Sequence, residues 1–251
     1  MTSALDTHPA RPTWRPVLVA WGVALVAIGA LGWLVDAVRE HEGITRRDSG
    51  VLDFFVDERS GVLVQVARWV TDLASPAVLL AAAVGVGWLL WRRGAPIVWA
   101  LVPMGSLALA AVVTFVGKHE LVRSRPPASL RLVTETEPSF PSGHTGDGTA
   151  LLLAVALVVV LLFVRRRDLR ALVVGATVAG CVAIGLSRLE LGVHWPTDVI
   201  AGWAVGVAVV GAVAGGALLV AGLDPTRVGR GPVPAVVRAL QHRRREPSDL
   251  R

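Results

Sequence analysis

Long apolar runs alternate with short polar joints along this chain. Six runs approach the roughly 20 residues that a helix needs to cross about 30 Å of hydrocarbon. The pattern predicts spans over Pro16–Val35, Ser75–Trp91, Ala95–Gly117, Asp147–Val164, Leu169–Leu186 and Asp198–Leu223. The expected architecture is all-α: a polytopic membrane protein with six transmembrane helices over residues 16–223, a polar leader over 1–15 and a basic tail over 224–251. The first run is followed by Asp36-Ala37-Val38-Arg39-Glu40 rather than a small-residue cleavage site, so it reads as a retained span. Between the first two spans, Val51–Asp72 is amphipathic and is expected to lie along the membrane interface.

Composition agrees with this picture. Hydrophobic residues make up 53% of the chain and the mean hydropathy is +0.60. A soluble domain has an apolar share nearer 45–50% even with glycine counted. The net charge of +6 raises nucleic acid as a partner. The basic residues fall instead in short segments between apolar runs, the distribution that sets membrane orientation, so no nucleic-acid partner is expected. The single cysteine, Cys181, allows no intramolecular disulfide and says nothing of redox compartment.

Counting Lys and Arg on alternating sides, with Arg68 of the amphipathic segment left out, gives fifteen with the leader, the Arg92-Arg93 loop, the Arg165–Arg170 loop and the tail, against nine on the other side. Both termini are therefore expected in the cytoplasm, with the protein in the plasma membrane. Trp14, Trp33, Trp88, Trp91 and Trp99 lie near predicted span ends, where indole favours the headgroup region. Arg243-Arg244-Arg245 reads as a topology signal or an anionic-lipid contact.

On the outer side the span ends carry polar residues. The third span ends at Lys118, followed by Arg125-Pro126. The fourth begins just after Pro141-Ser142-Gly143-His144. The fifth ends at Ser187-Arg188, and the sixth begins at His194-Trp195-Pro196-Thr197-Asp198. The span count alone brings these segments to one membrane face. Three fixed cations near one point suit a polyanion, and phosphate fits the guanidinium fork. Ser142 and Gly143 precede a helix start, whose free N–H groups favour an anion.

The histidines divide the work. His194 lies one helical turn before Asp198, so the carboxylate can hold one ring N–H and leave the other nitrogen free to attack phosphorus. His144 beside the cradle is placed to protonate the leaving oxygen. The protonation demands are opposed: His194 neutral, His144 charged.

Together, Lys118-x6-Arg125-Pro126, Pro141-Ser142-Gly143-His144 and Ser187-Arg188-x5-His194-x3-Asp198 resemble the three-part signature of the phosphatidic acid phosphatase type 2 / vanadium haloperoxidase superfamily. All three parts are present in order and at matching spacing. The six-span layout resembles the membrane lipid phosphatase branch, over about residues 16–223. The resemblance implies hydrolysis of a lipid phosphate or diphosphate at an outer-face active site, with a phosphohistidine on His194. It implies orientation by Asp198 and acid catalysis by His144. It implies phosphate binding by Lys118, Arg125, Ser142, Gly143 and Arg188, and neither metal nor cofactor. The expected partners are the lipid phosphate substrate and the surrounding membrane lipids.

Four other readings stay open here. A phosphotransferase would use the same intermediate with another acceptor. A haloperoxidase would share the cradle, although the resemblance on that side is to soluble enzymes. A non-enzymatic scaffold has no use for ionisable groups that are costly at membrane ends. A metal hydrolase would need an ion beside three cations. Asp147 reads as a first-turn acid stabilised by the helix dipole. Glu120, Glu135 and Glu137 read as solvated loop acids, and Gly202-x3-Gly206 as a close-packing face. No short motif selects the lipid or the oligomeric state.

Overall fold

The structure, a computed structural model, describes residues 14–221. Residues 1–13 of the expected leader and the whole of the expected tail, Arg243–Arg245 included, lie outside the described residues. Among the described residues every regular element is helical.

Helix α1 covers Arg15–Glu40. It runs past the expected end at Val35 because Ala37 and Val38 are buried, while Arg39 and Glu40 face outward. His41 stops it in the left-handed region, φ 56°. A 3₁₀ turn, Gly43–Arg47, then leads into α2, Asp48–Asp57.

The expected single interfacial segment is two helices. Helix α3, Gly61–Leu73, starts afresh at Ser60, whose Oγ accepts a hydrogen bond from the Leu63 N–H at 3.2 Å. Helix α4, Pro76–Arg92, follows after a 53° bend. Pro76 causes the break by holding Ser75 in extended backbone, ψ 148°. The α3–α4 pair is long and apolar enough to count as one bent span. Taken as one span, the pair is longer than the predicted second span, Ser75–Trp91. Helix α3 packs on α8 with Ala67 and Thr71 buried, while Gln65, Arg68 and Asp72 of its polar face are exposed together with Val62, Val66 and Trp69.

The third predicted span is divided into α5, Ile97–Ala100, and α6, Val102–Leu121. Helix α7 covers Gly143–Leu162, α8 Arg167–Glu190 and α9 Pro196–Val220. Helices α1, α6, α7, α8 and α9 are each long and apolar enough to cross a membrane, and the bent pair brings the number to six.

Helix α9 is the centre of the bundle and packs on α1, α6, α7 and α8. Gly202 and Gly206 make this possible. A Cβ on Gly202 would stand 2.8 Å from the Ser142 carbonyl oxygen, and one on Gly206 would stand 2.6 Å from Thr149 Cβ. The small-residue face is thus used inside the chain, to seat α9 on α7. The core beside it holds Val17, Leu90, Trp99, Val102, Val158, Val205 and Val209. Trp99 is fully buried there, so it is no interfacial anchor; the short α5 turns it inward. Trp14, Trp33, Trp88 and Trp91 are more than half exposed.

The outer surfaces of α1 and α8 show Leu18, Leu25, Val26, Leu172 and Val178. Apolar patches of that extent are foreign to soluble monomers and natural against lipid. The packing places one end of α6, α7, α8 and α9 together, and the polar residues gather there.

Candidate active site

Lys118 sits in the last turn of α6, which continues one turn beyond the predicted span. The helix ends at Val122 in the left-handed region, φ 43°, a strained place for a β-branched residue. From there the chain crosses the end of the bundle with Arg123 and Arg125. The Lys118 ammonium is buried; it donates to the Pro138 carbonyl at 2.6 Å and lies 3.4 Å from Glu137.

Arg125 Nη1 donates to the Val193 carbonyl at 2.8 Å and stands 3.2 Å from His194 Nε2. Arg188 is in the last turn of α8, 1% exposed, and donates to Thr71 Oγ1 of α3 and to Glu135. Ser142 precedes α7. Its N–H donates to the Asp198 carbonyl at 3.0 Å and its Oγ accepts from Thr145 Oγ1 at 2.9 Å. Gly143 opens α7 against Lys118: a Cβ there would be 4.0 Å from Lys118 Cε. His144 follows, half-buried, and makes no side-chain hydrogen bond among the described residues.

His194 lies in the loop between α8 and α9 and is 2% exposed. Its Nδ1 is 3.4 Å from Asp198 Oδ2. Asp198 is fully buried in the first turn of α9; Oδ2 accepts from the Trp195 N–H at 2.9 Å. A carboxylate at Nδ1 and a guanidinium at Nε2 assign the tautomer: Nδ1 carries the proton and Nε2 the lone pair. Burial pushes the His194 imidazole well below its ordinary value, and Arg188, Arg125 and Lys118 push it the same way. The ring is neutral at physiological pH. The structure thus brings all eight expected residues to one end of the bundle: Lys118, Arg125, Ser142, Gly143, His144, Arg188, His194 and Asp198.

Several residues at the site carry no mark in the sequence. Glu135 is not a solvated loop acid: it is paired to Arg188 and lies 3.6 Å from Arg125. Burial raises its carboxyl, but Arg188, Arg125 and His144 lower it further, so it is ionised. Glu120 and Glu137 are exposed as expected. Asp147 falls in the second turn of α7, beyond the reach of the dipole, and its Oδ1 is buried without a hydrogen bond. Arg123, Asp48 and Thr197 form a buried network behind Asp198. No local signal marks these partners, because Arg123 is 74 or 75 positions from each of them in sequence.

The chemistry available is that of an anion cradle beside a neutral imidazole. Three cations converge on the space next to Nε2, and they would repel a metal ion from the two histidines. The partly exposed Gly143–His144 edge is where the cradle meets the outside.

The chain is similar to known proteins in sequence and in fold. The family model for the PAP2 superfamily matches residues 99–216, which include the whole cradle. Phosphatidylglycerophosphatase B of Bacillus subtilis is 31% identical over 182 residues, 70% of this chain and 87% of that protein. An undecaprenyl-diphosphatase of Sulfolobus acidocaldarius is 35% identical over 106 residues, 40% of this chain and 47% of that one. In fold, the chain resembles the crystal structure of a transmembrane PAP2 type phosphatidylglycerolphosphate phosphatase from Bacillus subtilis. The TM-score is 0.71 at 24% identity, covering 77% of this chain and 94% of the other. It also resembles LpxE of Aquifex aeolicus, with a TM-score of 0.53 at 19% identity over 66% of this chain and 94% of that one. An all-α bundle of membrane-crossing helices, a cradle at one end, and a relative shared over most of both chains lead to one conclusion: this integral membrane protein belongs to the PAP2 superfamily.

Proposed function

We propose that this chain hydrolyses the phosphate or diphosphate of a membrane lipid through a phosphohistidine on His194. The observation that carries the reading is the position of the His194 ring. Asp198 is at Nδ1, and Nε2 faces the space bounded by Lys118, Arg125 and Arg188. The relatives' names, a phosphatidylglycerophosphatase and an undecaprenyl-diphosphatase, support a lipid phosphate or diphosphate as substrate.

The phosphoryl group rests against the three cations, with Ser142 and Gly143 at the start of α7 completing the cradle. Nε2 attacks phosphorus; the P–N bond forms as the P–O bond to the lipid breaks. The leaving oxygen takes a proton from His144. The imidazole becomes cationic, and Asp198 stabilises it and keeps its orientation. Water then attacks phosphorus and gives its proton to His144. The P–N bond breaks, and inorganic phosphate leaves. Buried cations aimed at the developing charge supply the electrostatic part of the rate.

The Lys and Arg distribution supports a site on the extracytoplasmic face of the plasma membrane, with leader and tail in the cytoplasm. Ser129 tests this, on the exposed 3₁₀ turn of the loop between α6 and α7. In a Cys181→Ala background, Ser129→Cys is expected to react with an impermeant thiol reagent on intact cells. Labelling only after lysis reverses the orientation.

The activity itself is tested with purified protein and a panel of phosphatidic acid, phosphatidylglycerol phosphate and a polyprenyl diphosphate. Phosphate release from at least one, abolished in His194→Ala, is the expected result. No release from any, or release that His194→Ala leaves intact, overturns the reading.

A further inference from the structure

We propose that Arg123 and Asp48 are positioning residues for the reaction: they hold Asp198 ionised and fixed while leaving it enough negative charge to act on His194. The inference rests on the phosphohistidine reading above.

Asp198 is fully buried, and a buried carboxylate without a counter-charge takes up a proton instead of staying ionised. The three cradle cations serve the phosphate side. Arg123 serves Asp198: Nη1 donates to Oδ1 at 2.5 Å. Oδ2 is left for the Trp195 N–H and the imidazole. With each oxygen committed to a different neighbour, the carboxylate cannot rotate.

Arg123 is itself held from behind. Nη2 donates to Asp48 Oδ2 at 2.6 Å, and Nη1 also donates to Thr197 Oγ1 at 2.7 Å. The Thr197 hydroxyl in turn donates to Asp48 Oδ2 at 2.6 Å, and the Thr197 N–H donates to Asp48 Oδ1 at 3.0 Å. The ring is closed and satisfied, and Asp48 is only 4% exposed. Two carboxylates share one guanidinium, so the trio carries a net negative charge. Arg123 alone would neutralise Asp198 and weaken its pull on the imidazole. Asp48 draws off part of that cation, and the residual charge stabilises the imidazolium formed when Nε2 bonds to phosphorus.

Arg123 is two residues from Arg125, yet its polar partners are Asp48, Asp198 and Thr197. It points away from the cradle, so its loss is expected to spare phosphate binding. Asp48 is the first residue of α2, which exposes Phe54. The network therefore ties this partly apolar helix of the first loop to the start of α9.

The test uses the full-length protein in detergent with the lipid it hydrolyses, and reads kcat, KM and the inhibition constant of inorganic phosphate. Arg123→Gln is expected to lower kcat about 10–100-fold, the scale on which removing an outer partner of a site ligand acts. KM and the phosphate constant should stay within about threefold of wild type, which is under 1 kcal/mol. Arg123→Lys should recover a large part of the lost kcat. Asp48→Asn should lower kcat about tenfold with the phosphate constant unchanged. If Arg123→Gln does not fold, Asp48→Asn decides alone. A near-wild-type kcat in the decisive variant, a parallel loss of phosphate binding, or no recovery by lysine overturns the inference. His194→Ala runs beside them. If it retains activity, the phosphohistidine reading falls; if it is dead while Arg123→Gln is active, only the positioning role falls.

Discussion

Helix α9 buries fifteen of its 25 residues, whereas α4 buries three of its 17, although both are strongly apolar. Hydropathy sees two spans of the same kind. The difference lies in side-chain size and in what stands at the ends. Helix α9 carries glycines that admit α7 to backbone contact, and its first turn carries Asp198, four residues after His194. Helix α4 offers Leu80, Val84 and Trp88 to the lipid. In a bilayer, apolarity decides only that a helix crosses. Packing against the rest of the chain decides where the chemistry is fixed, because an end that carries a reaction needs a rigid neighbour on every side. Helices α6, α7 and α9 with the site end of α8 form that rigid block, and α4 and the outer surfaces of α1 and α8 are its lipid-facing flank.

The sharpest way to break this contrast is His194→Ala. Loss of the nucleophile should lower kcat by about 10⁴-fold or more, as removal of a central catalytic residue does elsewhere. Phosphate release from lipid micelles reads it. A loss below tenfold would move the reaction away from the α9 end.

Next in size is Gly206→Leu, which drives a side chain into Thr149. Overpacking costs about 1–3 kcal/mol, and for a chain of this size thermal unfolding in detergent should fall on the order of 5 °C. Val84→Leu on α4 is the control: Val84 is 56% exposed, and its melting point should not move. Equal effects at both positions would erase the distinction between block and flank.

The third test is pH. His194 is held well below the ordinary imidazole value by burial and by Arg188, Arg125 and Lys118, with Glu135 opposing. The nucleophile must be neutral, so it loses activity only as pH falls through its own depressed value. The acid limb of kcat/KM belonging to it should lie well below pH 6.5. Arg125→Gln removes one of the depressing cations and should move that limb upward, whatever it does to phosphate binding. An acid limb near 6.5 in the wild type would mean that the ring is not enclosed by the cradle in solution.

The same contrast explains what is legible in the sequence. Lys118, Arg125, Ser142, His144, Arg188 and His194 stand at the ends of spans. Alternating spans must bring those ends together, so counting spans is enough to place the site. The first loop is harder. Val51–Asp72 shows one polar and one apolar stripe, and amphipathicity says nothing of which of its residues a neighbouring helix buries. Here Gln65, Arg68 and Asp72 stay exposed, while Thr71 is buried where it meets Arg188, so α3 also packs on the bundle along α8. The roles of Asp48, Arg123 and Glu135 are hidden for a related reason. Each reaches a partner 53 to 75 positions away, and an ion pair of that range leaves no period in the chain. Trp99 shows the converse: an indole near a span end reads as an anchor, and a four-residue helix turns it into the core.

Glu135 gives the smallest and most discriminating prediction. Its ionised carboxylate lies between Arg188 and Arg125, where the phosphate oxygens belong, and its side chain is 24% exposed. An entering phosphate must displace that carboxylate or share its cations. Glu135→Gln keeps the size and the hydrogen-bonding edge but removes the charge, so both guanidinium groups become free for the ligand. A partly exposed pair of this kind is worth about 1 kcal/mol, so inorganic phosphate should bind roughly fivefold more tightly, read as its inhibition constant. Glu120→Gln, at an exposed position in the last turn of α6, removes the same charge without touching the cradle and should change nothing. Weaker phosphate binding in Glu135→Gln would give the carboxylate the opposite role. It would then hold the two arginines in the geometry that phosphate needs, and the cradle would owe its shape to an acid from the loop as much as to the helix ends.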